Sequence, residues 1–234
     1  DGSWLDAEYR FLHDRVQQAS YERISIQQRA SAHLEIGQRL YGTYRTEGGS
    51  TQRLLEMVRH MNLGASQITA MAERTELARL NLEATRRAKS VSSYALMVQL
   101  IESAQGLLGE AAWQVSPDLM IELALERLEA AYLLRNFAEV EGRAEALLAL
   151  SLPPIARLAV QEVCVRSCVA AGHYARGMRL GLRALAEAGR TYPATESECE
   201  ALLAEEAVIL DQWFADNPDA FDRMEPDSSL QHLS

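Results

Sequence analysis

Along most of this chain apolar residues return every three or four positions, with charged residues between them. That is the period of an amphipathic helix. Leu77, Leu80, Ala84 and Ala88 form one such stripe and predict a helix over Glu73 to Lys89. Met97, Ile101, Ala104 and Leu108 form the next and predict a partner over Tyr94 to Leu108. The same period predicts helices over 119–134, 138–150, 155–171 and 175–188, and a final one over 196–214. Two more precede them, over 27–41 and 51–63, separated by the Thr46-Glu47-Gly48-Gly49-Ser50 loop. The breakers agree with these limits. Pro153-Pro154 can open a helix, because proline is tolerated in the first turn, and Gly172 is placed to close one.

Three of the predicted turns share a short pattern: Ser93-Tyr94-Ala95, Asn136-Phe137-Ala138 and His173-Tyr174-Ala175. Each comes after one helical stretch and opens another, with intervals of 43 and 37 residues between the aromatics. Tetratricopeptide-type (TPR) helical hairpins repeat every ~34 residues, so the spacing fits such units with small insertions. The reading assigns Tyr94, Phe137 and Tyr174 to packing back across each hairpin. It assigns Ala95, Ala138 and Ala175 to close approach of the second helix. Each hairpin then leaves an apolar flank that only a neighbouring hairpin can cover. The expected fold is all-α, a TPR-like antiparallel helical hairpin array, or α-solenoid.

Composition strengthens this. Of the 234 residues 48% are hydrophobic, with only 13 Gly and 6 Pro, and the dominant residues are strong helix formers. No apolar run approaches the ~20 residues needed to span a bilayer, and the first residues resemble no signal peptide. The expectation is a soluble, cytoplasmic segment of a longer protein with no membrane partner. A formal charge of −10 argues against nucleic acid as a partner, since binding it needs clustered cations that release counterions. Arg74, Arg79, Arg86, Arg87 and Lys89 make one local basic stretch, read as a solvated helix face.

Candidate chemistry is sparse. Cys164 and Cys168 lie four apart among valines and read as small core residues rather than metal ligands. His33 and His60 each read as a structural histidine. Glu122, Glu126, Glu129, Glu205 and Glu206 sit at spacing usual for solvated faces. No phosphate-binding loop, zinc motif or nucleophile elbow appears. The chain is therefore expected to hold no catalytic residues, no metal and no cofactor of its own.

The stretch Tyr9 to Tyr21 reads as a short strand entering a helix, with Asp14 placed to cap it. Its string Phe-Leu-His-Asp-Arg-Val-Gln-Gln-Ala-Ser-Tyr is similar to one in large bacterial signalling ATPases of the STAND class. In those proteins a P-loop ATPase is followed by a winged helix and TPR-like repeats, often with a Ser/Thr kinase before and a sensor histidine kinase after. Leu12-His13-Asp14 resembles the Met-His-Asp motif of related winged helices, with Leu replacing Met. The resemblance implies that His13 contacts the β-phosphate of ADP in an intact parent and that Asp14 orients or caps. It implies ATP or ADP as the parent's cofactor. The next segment, 27–41, is similar to the one after the winged helix in the same ATPases.

The resulting division is a winged-helix remnant over 1–26, a helical connector over 27–72, TPR-like repeats over 73–190, and a capping helix with a polar tail over 191–234. The expected function is non-catalytic regulation. A protein, peptide or small inducer would bind the concave helical face and be coupled to nucleotide state. The alternative is a stand-alone TPR-like scaffold that brings proteins together.

Overall fold

The computed structural model describes residues 18–19, 21–109, 111–193 and 195–219. All regular structure among them is helical: α1 (Ile26–Glu47), α2 (Thr51–Leu63), a 3-10 turn (Ala65–Gln67), α3 (Met71–Ser90), α4 (Tyr94–Leu108), the short α5 (Ala112–Val115), α6 (Pro117–Leu133), α7 (Phe137–Leu148), α8 (Pro154–Ala170), α9 (Tyr174–Glu187) and α10 (Glu196–Asp216). The strand expected before Tyr21 falls on residues 9–17 and 20, outside the described residues.

Local chemistry sets these limits. Ser25 caps α1 through a capping box with Gln28, and Ser50 caps α2 by accepting from the Arg53 N–H. Asn136 caps α7 in the same way by accepting from the Glu139 N–H. Helix α1 runs six residues beyond the expected Tyr41, because nothing breaks it before Gly48, where φ is 71°. Pro117 and Pro154 stand in the first turns of α6 and α8.

The hairpin turns before α4, α7 and α9 have one geometry. The Ser93, Asn136 and His173 N–H groups donate to the carbonyls of Ala88, Ala131 and Cys168 at 2.9, 2.9 and 2.8 Å. The preceding N–H groups, of Ser92, Arg135 and Gly172, donate to Lys89, Tyr132 and Val169 at 3.0, 2.9 and 3.0 Å. This double bond pattern is the Schellman motif, and it needs a left-handed residue just past the helix. Ser92, Arg135 and Gly172 fill that role with φ of 58°, 59° and 78°.

The register continues into the second helix. Three residues after each aromatic the residue is buried: Met97, Val140 and Gly177. Seven and ten residues after it come Ile101 and Ala104 on α4, and Ala144 and Leu147 on α7, all buried. Ala95, Ala138 and Ala175 are exposed. The alanines therefore do not face the partner helix, and the inward position lies two residues on, since each step along a helix turns the side chain by about 100°. Tyr94 packs on the core and Phe137 is half-buried, but Tyr174 is 68% exposed and does not pack across its hairpin. The 43-residue interval is accounted for by α5, inserted between Gly109 and Pro117.

The core is a series of clusters, each spanning adjacent hairpins. The first joins Leu54, Met57 and Val58 of α2 to Leu77 and Leu80 of α3 and Met97 and Leu100 of α4. The second joins Ala78 and Leu82 of α3 and Ile101 of α4 to Leu119 and Leu123 of α6. The third joins Leu128 and Ala131 of α6 and Val140 of α7 to Val160 and Val163 of α8. Leu77, Met97, Ile101, Leu123 and Leu128 are fully buried, each contributing ~1.5–3 kcal/mol of apolar transfer. The expected connector pair α1 and α2 is itself a hairpin, and α2 shares the first cluster with the units after it.

The described residues up to Gly181 and those from Leu182 onward form two compact units, the boundary falling within α9. In the second unit α10 starts with a capping box between Thr195 and Glu198 and has no buried residue. No helix among the described residues is long and apolar enough to cross a membrane.

Candidate binding face

The first helices of the four hairpins, α1, α3, α6 and α8, are linked by polar side chains spaced 35 to 40 residues apart in sequence. Tyr41 and Tyr44 of α1 donate to the carboxylates of Glu76 and Glu83 on α3, both at 2.7 Å. Arg86 of α3 donates to Glu122 and Glu126 of α6 at 2.7 and 3.2 Å, and Lys89 reaches Glu126 at 2.8 Å. Arg166 of α8 forks onto both oxygens of Glu129 at 3.2 and 2.5 Å. Arg176 of α9 pairs with Glu141 of α7 among the second helices.

These contacts arise from helix geometry. Residues three, four and seven apart share a face, so Glu122, Glu126 and Glu129 line one stripe of α6. That stripe lies against Arg86 and Lys89 on one side and Arg166 on the other. The α6 carboxylates expected on a solvated face are thus bridging groups, with the Glu126 and Glu129 side chains only 12% and 17% exposed, whereas Glu205 and Glu206 are exposed as expected. Partly exposed pairs of this kind stabilise by ~0.2–1 kcal/mol each, so their larger effect is to fix the register between neighbouring units.

The surroundings shift the titrating groups. The hydrogen bonds to Glu76 and Glu83, aided by burial, raise the Tyr41 and Tyr44 phenols above their ordinary value. Burial opposes the charges of Arg86 and Arg166. Their bonds to Glu122 and Glu126, and to Glu129, outweigh it and hold both guanidiniums above their usual range.

Two open cavities flank α3 on this face. One, of about 700 Å³, is lined by Tyr41, Tyr44, Arg45, Glu76 and Leu80. The other, of about 290 Å³, is lined by Arg79, Leu82, Glu83, Arg86, Asp118, Leu119 and Glu122. Each combines apolar lining, from Leu80 or from Leu82 and Leu119, with at least one carboxylate and at least one guanidinium. Such a lining can bind a mixed polar and apolar segment through hydrogen bonds and leave its apolar side chains on leucine.

His13 and Asp14 lie outside the described residues. Tyr94, Ala95, Phe137, Ala138, Tyr174 and Ala175 start the second helices and do not line either cavity. Cys168 is buried and Cys164 packs on the third cluster. No group of three or more His, Cys, Asp or Glu that could hold a metal occurs among the described residues. Sequence reading missed Tyr41, Tyr44, Glu76 and Glu83, whose signal was a Tyr–Glu spacing of 35 and 39 residues, close to the repeat interval.

The sequence is 25% identical over 163 residues, 60% of this chain, to hybrid signal transduction histidine kinase G of Dictyostelium discoideum. The chain spans about 5% of the length of that relative. No protein-family profile and no solved structure matches the chain.

Proposed function

We propose that this chain is a non-catalytic, TPR-like binding and regulatory module of a multidomain signalling protein. The observation that carries the reading is the repeated unit itself. Three hairpin turns share bond pattern, left-handed residue and buried register, and their first helices carry a polar face with two cavities. An array of this kind offers extended surface rather than a catalytic pocket. The partial likeness to a histidine kinase of signal transduction supports a signalling setting.

The resemblance of the stretch around His13 supports the finer reading, a STAND-type ATPase parent with a winged helix before α1. In that parent a peptide, protein or small inducer occupies the first-helix face and prefers the open state of the ATPase. Only such a difference in affinity can shift the nucleotide equilibrium. His13 holds the β-phosphate of ADP in the closed state and releases it in the open one.

The test uses the full-length protein. His13→Ala is expected to speed ADP release, and Arg79→Glu on the face is expected to weaken the response to the inducer while leaving basal release unchanged. Release unaltered by His13→Ala removes His13 from the mechanism. A reading frame lacking an upstream phosphate loop leaves the stand-alone scaffold as the function.

A further inference from the structure

The α1–α2 hairpin contains a histidine pair that the binding face does not use. His33 Nδ1 and His60 Nδ1 lie 2.9 Å apart, and the Tyr21 hydroxyl lies 3.0 Å from His33 Nε2. Both rings are half-buried. The contact is set by backbone approach. A Cβ on Gly37, four residues after His33, would lie 2.5 Å from Met61 Cγ and 3.0 Å from the Met61 nitrogen. A Cβ on Gly64, four residues after His60, would lie 2.6 Å from the Leu34 nitrogen. These two glycines allow the helices this close, and the closeness brings the two imidazoles together.

Two Nδ1 atoms at this distance can bond only if one carries hydrogen and the other a lone pair. The neutral forms satisfy the whole chain: Tyr21 O–H donates to His33 Nε2, and His33 Nδ1–H donates to His60 Nδ1. One added proton is accommodated on either ring: on His33 Nε2 by turning the Tyr21 hydroxyl to accept, and on His60 Nδ1 by moving the His33 hydrogen from Nδ1 to Nε2, so that the bond between the rings reverses. A second proton is not, because with both rings charged N–H faces N–H at the 2.9 Å contact.

We infer that Tyr21, His33 and His60 form a proton-operated latch that fastens α1 and the segment leading into it to α2, and that protonation of both imidazoles opens it. The inference needs only this hairpin and is independent of the reading under Proposed function. The surrounding charges leave the pair to itself. Glu56 and Arg59 on α2 act on His60 in opposite senses. Arg29 stacks on the Tyr21 ring at 4.5 Å and donates to the carbonyls of Glu22 and Ile24. Among the charged groups of α3, Arg74 donates to the Ile68 carbonyl, and Glu76 and Glu83 accept from Tyr41 and Tyr44. Burial and the neighbouring His33 hold His60 below the usual imidazole range, the direction a closed latch requires.

The test is hydrogen exchange on the whole chain at pH about 7.5 and about 5, on either side of the ordinary imidazole value. Protection in α6 and α7 serves as the internal reference. Protection of α1 relative to that reference is expected to fall several-fold at the lower pH, because the open form takes up protons that the closed one excludes. His60→Asn keeps an acceptor at the Nδ1 position but cannot become charged, so its α1 protection is expected to be insensitive to pH. Equal relative protection of α1 at both pH values in the unsubstituted chain overturns the latch, as does an equal loss in His60→Asn. If that variant does not fold, nitrogen NMR of the imidazoles decides. One protonated and one bare Nδ1 at pH about 7.5 supports the latch, and two bare Nδ1 atoms overturn it.

Discussion

Asn62 on α2 and Asn81 on α3 exchange two hydrogen bonds, Nδ2 to Oδ1 at 2.7 Å and 2.9 Å, across the interface between the first two hairpins. Asn81 is fully buried and also donates to the Leu77 carbonyl at 2.8 Å. The pair is matched because each amide supplies one donor and one acceptor. Asn81→Leu alone leaves the Asn62 amide without its partner and is expected to cost ~1–3 kcal/mol in urea unfolding. The double variant Asn62→Leu/Asn81→Leu is expected to recover most of that loss, because nothing polar then remains unpaired. Equal loss in both would mean that packing, not pairing, dominates at this contact.

The left-handed turn residues offer a direct comparison. Ser92 has φ of 58°, a conformation that favours glycine, while Gly172 occupies the same place in a later turn with φ of 78°. Ser92→Gly is expected to raise stability by ~0.5–1 kcal/mol, and Gly172→Ala to lower it by at least as much. Thermal midpoints moving in opposite directions are the expected result.

Gly37 faces backbone and side-chain atoms of Met61 at 2.5–3.3 Å from the place where a Cβ would stand. Gly37→Ala must push α1 off α2 and is expected to cost ~1–3 kcal/mol despite the better helix propensity of alanine. Circular dichroism under thermal unfolding would register it. A more stable variant would show that the helices separate without strain.

Glu139 neutralises a buried cation. Arg127 is 8% exposed and lies 2.6 Å from the Glu139 carboxylate, while its Nη1 has no hydrogen-bond partner. Glu139 also pairs with Arg143 at 2.7 Å and accepts from the Asn136 side chain at 2.9 Å. Glu139→Ala strands the Arg127 charge and is expected to cost about 3 kcal/mol. Replacing both by apolar residues, Arg127→Met with Glu139→Leu, is expected to cost less than that single change. Urea midpoints of the two variants test the order.

Tyr44 gives a pH signature at the alkaline end. Its bond to Glu83, with burial, raises the phenol, so the folded chain holds that proton more tightly than the unfolded one. This contribution is therefore complete below the ordinary phenol value near about 10 and is lost as pH rises through the higher folded value. Ultraviolet titration of phenolate formation should lose one late-titrating group in Tyr44→Phe. An unchanged late phase would exclude the Glu83 bond as its cause.

Much of the architecture was legible along the chain. Helices α2 and α4 begin and end where periodicity places them, because Ser50 and Ser93 precede clear apolar stripes and Gly64 and Gly109 come directly after. Gly172 announced its turn, whereas Ser92 and Arg135, in the same conformation, did not, since neither residue type signals a left-handed backbone. The site was less legible. Glu126 reads as a surface carboxylate in one dimension and becomes a bridge only when α3 lies beside α6.

By itself the sequence determined that this protein is built of helices, roughly where each begins and ends, and where most turns fall. Those properties arise from contacts between residues a few positions apart. Tertiary structure alone decided that His33 meets His60, that Asn62 meets Asn81, and that the first helices are tied by Tyr–Glu and Arg–Glu pairs. Such contacts join residues 19 to 40 positions apart, and no local period encodes which face of one helix will meet which face of the next.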